Sequence, residues 1–129
     1  MSCFKLPVTL LKEIESITSN FFWNDSEKNK IHWVARDRMC RSKKAGGIGF
    51  RNLHAFNLAM LAKQSWRVLK KAELLVSRIF KARYFPHDNF LNAKKNSGMS
   101  FTWRSILESR SIIEAGMRWR IGDGQKVKV

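Results

Sequence analysis

An enzyme of this length should display paired carboxylates, a nucleophile beside a base, or clustered metal ligands. Asp25 with Glu27 and Glu13 with Glu15 are the close acidic pairs, and both fall in stretches that read as solvated surface. No Asp-Asp dipeptide occurs, so the usual two-metal carboxylate motif of a nucleotide polymerase is missing and no catalytic residue is assigned. His32, His54 and His87 could join Cys3 or Cys40 as ligands, but their spacing matches no zinc pattern, and histidines that merely pack or sit at turns are the better reading. No metal and no cofactor are predicted.

The residues that point to chemistry are cations. Lys43, Lys44, Ala45, Gly46, Gly47, Ile48 and Gly49 form a basic, glycine-rich loop, yet its lysines precede its glycines, so the phosphate-cradle pattern of a nucleotide-binding loop is incomplete. Around and beyond this loop, basic residues interleave with aromatic ones. Arg36 and Arg38 open the series, and Arg41, Lys43, Lys44, Arg51, Lys63, Arg67, Lys70 and Lys71 are the predicted nucleic-acid contacts. Long cations grip phosphates without reading sequence. Any one of them taken alone is an ordinary solvated side chain, and it is the ensemble that favours RNA or DNA backbone as partner.

The whole composition agrees with that partner. Among 129 residues, 25 are Lys or Arg against 10 Asp or Glu, a formal charge of +15 that attracts polyanions; acidic segments of a longer polypeptide are the alternative balance. With 44% hydrophobic residues, nine Phe and five Trp, the chain is not composed like a disordered one. Two cysteines far apart give no disulfide framework and fit a reducing compartment. Lys12, Glu13 and Glu15 interrupt the apolar N-terminal stretch, which argues against a membrane span or a targeting peptide. Membrane-surface binding through Phe21, Phe22 and Trp23 is a lesser reading.

Elements that must position the cations follow from periodicity. A first helix is predicted from near Pro7, with Leu10, Ile14, Ile17 and Phe21 as its core stripe, before turn chemistry at Asn24, Asp25 and Ser26. Ile31 to Cys40 reads as a short helix or an extended entry into one, anchored by Trp33. A long helix over Leu53 to Leu69 places Ala55, Leu58, Ala62 and Leu69 on one face and Lys63, Arg67 and Lys70 on another. A third, Glu73 to Tyr84, turns Leu75, Ile79 and Phe80 inward and Arg78 and Lys81 outward until Pro86 stops it. Phe90 to Ser100 reads as a loop. Ser100 or Thr102 then caps a fourth helix with Trp103, Ile106, Leu107, Arg110 and Ile113, in which Arg104 and Glu108 can pair, and Gly116 ends it. Alternation from Arg118 to Val129 around Gly122, Asp123 and Gly124 predicts a β-hairpin. The fold class is mainly α: one small domain over 1–129, about four helices with a C-terminal hairpin, truncated from a longer sequence.

Several segments, in order, carry a family resemblance: MSCFKLP from Met1, the aromatic run Phe21 to Trp23, KIHW from Lys30, GGIGFR from Gly46, FNLAMLAKQSWR from Phe56, KARYFP from Lys81, TWRSI from Thr102 and RWRIGDG from Arg118. Together they resemble plant non-LTR, LINE-type retrotransposon polyproteins along almost the entire chain. The chain also looks like short plant mitochondrial reading frames that carry this segment alone. The resemblance implies a thumb-like or connecting segment that follows the polymerase palm, and the rest of the reverse transcriptase polyprotein as partner. The catalytic Tyr-x-Asp-Asp motif of that family is absent, so the expectation is a non-enzymatic fragment of an RNA-directed DNA polymerase, or a decayed remnant with no selected activity. Nucleus and mitochondrion both remain open as its location.

Overall fold

The computed structural model describes residues 1–23 and 33–118. Among the described residues, six α-helices run in the order α1 (Val8–Phe22), α2 (Arg36–Met39), α3 (Leu53–Lys70), α4 (Leu75–Tyr84), α5 (Phe101–Glu108) and α6 (Arg110–Gly116), with short 3-10 turns at Lys43–Ala45 and Phe90–Asn92. No strand occurs among the described residues. The predicted hairpin lies outside them, apart from Arg118.

α3 is the axis of the fold, packing against α1, α4, α5 and α6. Its N-terminus is secured twice: the Asn52 side chain accepts from the Ala55 N–H at 2.9 Å, and the Glu15 carboxylate reaches across from α1 to accept from the Leu53 N–H at 3.1 Å. These bonds satisfy two donors that a helix start leaves unpaired. The inward face of α3 agrees with the predicted one at Ala62, which is buried, and at Leu69, which packs half-buried against the core, and departs from it at other positions. Asn57, Leu61, Ala62, Ser65 and Val68 are buried, whereas Ala55 is exposed. Two polar residues belong to the buried row because each has partners: Asn57 Nδ2 donates to the Met1 and Phe4 carbonyls and its Oδ1 accepts from the Leu6 N–H at 2.9 Å, while Ser65 Oγ lies 2.7 Å from Ser109 Oγ.

The main core surrounds Trp103, which is fully buried with Val68, Phe85, Phe90, Ala93, Ile106 and Leu107. The Trp103 ring is flanked by the near-parallel rings of Tyr84 at 4.9 Å and Phe85 at 5.4 Å, and Phe90 meets it edge-on at 5.7 Å. The region predicted to be a loop therefore supplies core. Arg110 holds that segment in place by donating to the carbonyls of Leu91 and Ala93.

Other expectations are corrected. The stripe Leu10, Ile14, Ile17 and Phe21 faces outward, with Phe21 87% and Ile17 68% exposed; Leu11 and Ser19 are the buried residues of α1. Trp33 is 78% exposed, and Met39 anchors its segment instead. α4 begins at Leu75, two residues later than predicted, and Leu75 and Ile79 are exposed while Ser77 is buried. The single fourth helix is two. Of the two predicted caps it is Ser100 that serves α5, accepting from the Trp103 N–H at 3.2 Å, but the chain breaks at Ser109, whose N–H and hydroxyl both bond the Ile106 carbonyl. Glu108 pairs not with Arg104 but with Lys5 at 3.3 Å and Lys95 at 3.0 Å.

Candidate nucleic-acid interface

The glycine loop sets the first group of cations. Met39 and Ser42 carbonyls act as its hub: Ile48, Gly49 and Phe50 donate to Met39, and Ala45 and Gly47 donate to Ser42. Gly46 and Gly49 adopt positive φ of 74° and 83°, the left-handed region that glycine enters without strain. Every backbone N–H from Ala45 to Phe50 is thus engaged inside the loop. None of these donors is free for a phosphate, so the loop is not a cradle. What it offers is an exposed rim of Arg41, Lys43 and Lys44, with Arg51 following.

The second group lies on α3. Lys63, Arg67 and Lys70 are exposed at i, i+4 and i+7, and Lys71 closes the helix at its C-terminal end. An 18-residue helix is about 27 Å long, so Arg51 just before it and Lys71 just after it stand roughly that far apart. The eight predicted contacts are two clusters held at a fixed separation by one rigid element. All eight are exposed, and among the described residues none pairs with a carboxylate. Arg36, read with the basic series, instead braces the interior: it is half-buried, donates to Ser19 Oγ at 3.1 Å and lies 5.0 Å from the Phe50 ring.

Aromatic rings accompany both clusters. The Arg51 guanidinium sits 4.8 Å over Phe56, and the Lys70 ammonium 5.3 Å over Trp66. Such contacts hold long cations outward in defined positions. Trp66 is the residue that charge counting misses; it is 40% exposed, and its spacing from Lys63 and Lys70 puts all three on one face. The Trp66-to-Lys70 step of one turn is the signal that reveals it in the sequence.

Two further features complete the surface. An apolar cleft of about 500 Å³ between α3, α4 and α5 is lined by Val68, Leu74, Val76, Phe80 and Ile106 with Arg67 at its edge, and the buried Ser77 hydroxyl there has no partner. At the C-terminal end of α4, the Tyr84 phenol is held below its ordinary value by hydrogen bonding from Ser100, with Arg83 adding to the effect. Among the described residues no group of three His, Cys, Asp or Glu is placed to hold a metal, and no helix is long and apolar enough to cross a membrane.

These features define a basic helical module built on one central helix. Two proteins of Arabidopsis thaliana align with nearly all of it. The uncharacterized mitochondrial protein AtMg00310 is 43% identical over 131 residues, covering all of this chain and 85% of that protein. A protein named for ribonuclease H, At1g65750, is 32% identical over 133 residues, covering 99% of this chain but only 21% of its own length. The chain belongs to the family of the mitochondrial protein AtMg00310. No protein-family model and no solved structure matches it. The resemblance to short plant mitochondrial reading frames is therefore found directly, while neither relative is named as a reverse transcriptase.

Proposed function

We propose that this chain is a non-catalytic segment derived from a retroelement polypeptide, of the non-LTR reverse transcriptase type, and that it grips RNA or DNA backbone without base specificity. The observation that carries the reading is two cation clusters, one before α3 and one along its C-terminal half, that pair with no carboxylate among the described residues. A relative named for ribonuclease H, in which a segment like this one is about a fifth of the length, supports an origin in a larger nucleic-acid enzyme. In such a parent the catalytic aspartates lie in another segment, and this one steadies template or primer while the remaining polypeptide is its partner.

The test is binding of a short RNA and of an RNA–DNA hybrid across a salt series. Affinity should fall steeply with salt, as release of condensed counterions requires. Replacing Lys63, Arg67 and Lys70 with Ala should lower the slope of log affinity against log salt by about one for each phosphate left without its cation. Salt-independent or undetectable binding rejects the reading.

One observation favours a second reading, a decayed remnant without selected activity: the outward stripe of Leu10, Ile14, Ile17 and Phe21 has the periodicity of a core face yet is exposed. A broad melt or aggregation of the purified chain would support the remnant. A sharp cooperative transition would speak against it.

A further inference from the structure

Backbone gripping uses Trp66 only as the ring beneath Lys70. Its ring lines a groove of about 440 Å³ between α3 and the C-terminal end of α6, together with Ile112, Ile113, Gly116, Met117 and Arg118. The Arg118 guanidinium is pinned beside this groove by donating to the Ala115 and Met117 carbonyls at 3.0 and 2.9 Å. Lys63 and Lys70 share the Trp66 face of α3. The site is thus a partly exposed indole beside apolar side chains, with Arg118 at its edge, Lys70 over the indole ring and Lys63 one turn away on the same face of α3.

We propose that this groove receives one unpaired nucleobase of a single-stranded nucleic acid, stacked against Trp66, while the adjoining phosphates meet Lys63, Lys70 and Arg118. The inference rests on the backbone-binding reading and narrows it to single strands. A flat π surface beside aliphatic side chains suits a planar base, and stacking of this kind tolerates any base because each has a π face. Ile112, Ile113 and Met117 provide no hydrogen-bonding side-chain groups to read a base edge, which keeps the contact indifferent to sequence. A duplex keeps its bases paired and cannot fill the groove.

Gly116 supplies a direct way to block it. An added Cβ there meets nothing within 4 Å and the residue is not at positive φ, so a larger side chain projects into open space without strain.

The experiment compares a labelled oligothymidylate of about 12 nucleotides, within the span such sites cover, with an abasic strand of equal length and charge, by fluorescence anisotropy at low salt. The wild-type chain should bind the base-bearing strand about tenfold more tightly than the abasic one. Trp66→Ala and Gly116→Leu should each erase that preference; Gly116→Leu should leave abasic-strand and duplex binding unchanged, whereas Trp66→Ala also removes the ring beneath Lys70 and should weaken binding of all three modestly. Equal binding of the two strands, with steep salt dependence retained, overturns the stacking proposal and leaves the backbone reading intact. Absence of binding to either strand removes both. Should a variant fail to fold, the comparison of strands on the wild-type chain decides alone.

Discussion

Ser65 and Ser109 place their hydroxyl oxygens 2.7 Å apart in the interior, one on α3 and the other at the break between α5 and α6. Each hydroxyl has one proton to give. Ser109 lies 2.8 Å and Ser65 3.1 Å from the Ile106 carbonyl, so one hydroxyl donates to that carbonyl while the other donates to its partner serine, and the three groups form one cluster. This is how a broken helix is fastened to the central one. Ser65→Ala and Ser109→Ala should each cost about 1 kcal/mol in urea unfolding, and the double variant should depart from additivity by about 0.5 to 1.5 kcal/mol. Strict additivity would show that the two hydroxyls do not act together.

Asn57 should behave as a clasp for the N-terminal segment. Replacing it with Leu removes three hydrogen bonds and should destabilise the chain by about 2 kcal/mol, less than full burial would imply because the released segment can reach water. Amide exchange is the discriminating measurement. The Leu6 N–H should lose protection while the α5 amides retain theirs; an unchanged Leu6 amide would refute the clasp.

Glycines 46 and 47 should respond differently to alanine. At Gly46 the cost is the positive φ alone, about 1 kcal/mol, since an added Cβ has open space. At Gly47 the Cβ would run into the Arg41 carbonyl, a backbone atom that cannot turn aside. Gly47→Ala should therefore cost more than about 2 kcal/mol and disorder the Arg41, Lys43 and Lys44 rim, which the loop resonances in an NMR spectrum would report.

Glu108 ties Lys95 and Lys5 to α5, and its pKa is lowered chiefly by the Lys95 hydrogen bond, against partial burial and with Lys5 assisting. A depressed carboxylate contributes stability that is present above its unfolded pKa of about 4.3 and is lost as pH falls through the folded value. Because the side chain is 35% exposed, solvent screening limits the contribution to under about 1 kcal/mol. The urea midpoint of the wild type should exceed that of Glu108→Gln at neutral pH and converge on it under acid. A constant gap across pH would show that the ion pairs are not its source.

What was legible in the sequence was local. The course of α3, the Ser100 cap, the stop at Gly116 and the exposure of the cations all follow from signals within a few residues of each feature. What was not legible was which neighbour each face meets. The α1 periodicity marks an amphipathic helix but cannot say that its apolar side stays exposed, and counting only apolar residues hid Asn57 and Ser65 because their burial depends on partners more than 40 residues away. The eight cations were visible as a set, but their division into two clusters depends on α3 acting as a single rod. Trp66 is not legible as a surface residue because an aromatic residue in a helix reads first as core.

The stacked rings around Trp103 also have an optical consequence. Trp103 is shielded from water and lies between two parallel aromatic rings, whereas Trp33 is 78% exposed, so the two indoles should emit at opposite ends of the tryptophan fluorescence range. The same rigid stacking should impose a strong near-ultraviolet circular dichroism signal. The molecule thus carries an intrinsic chromophore that reports the integrity of its interior without any label.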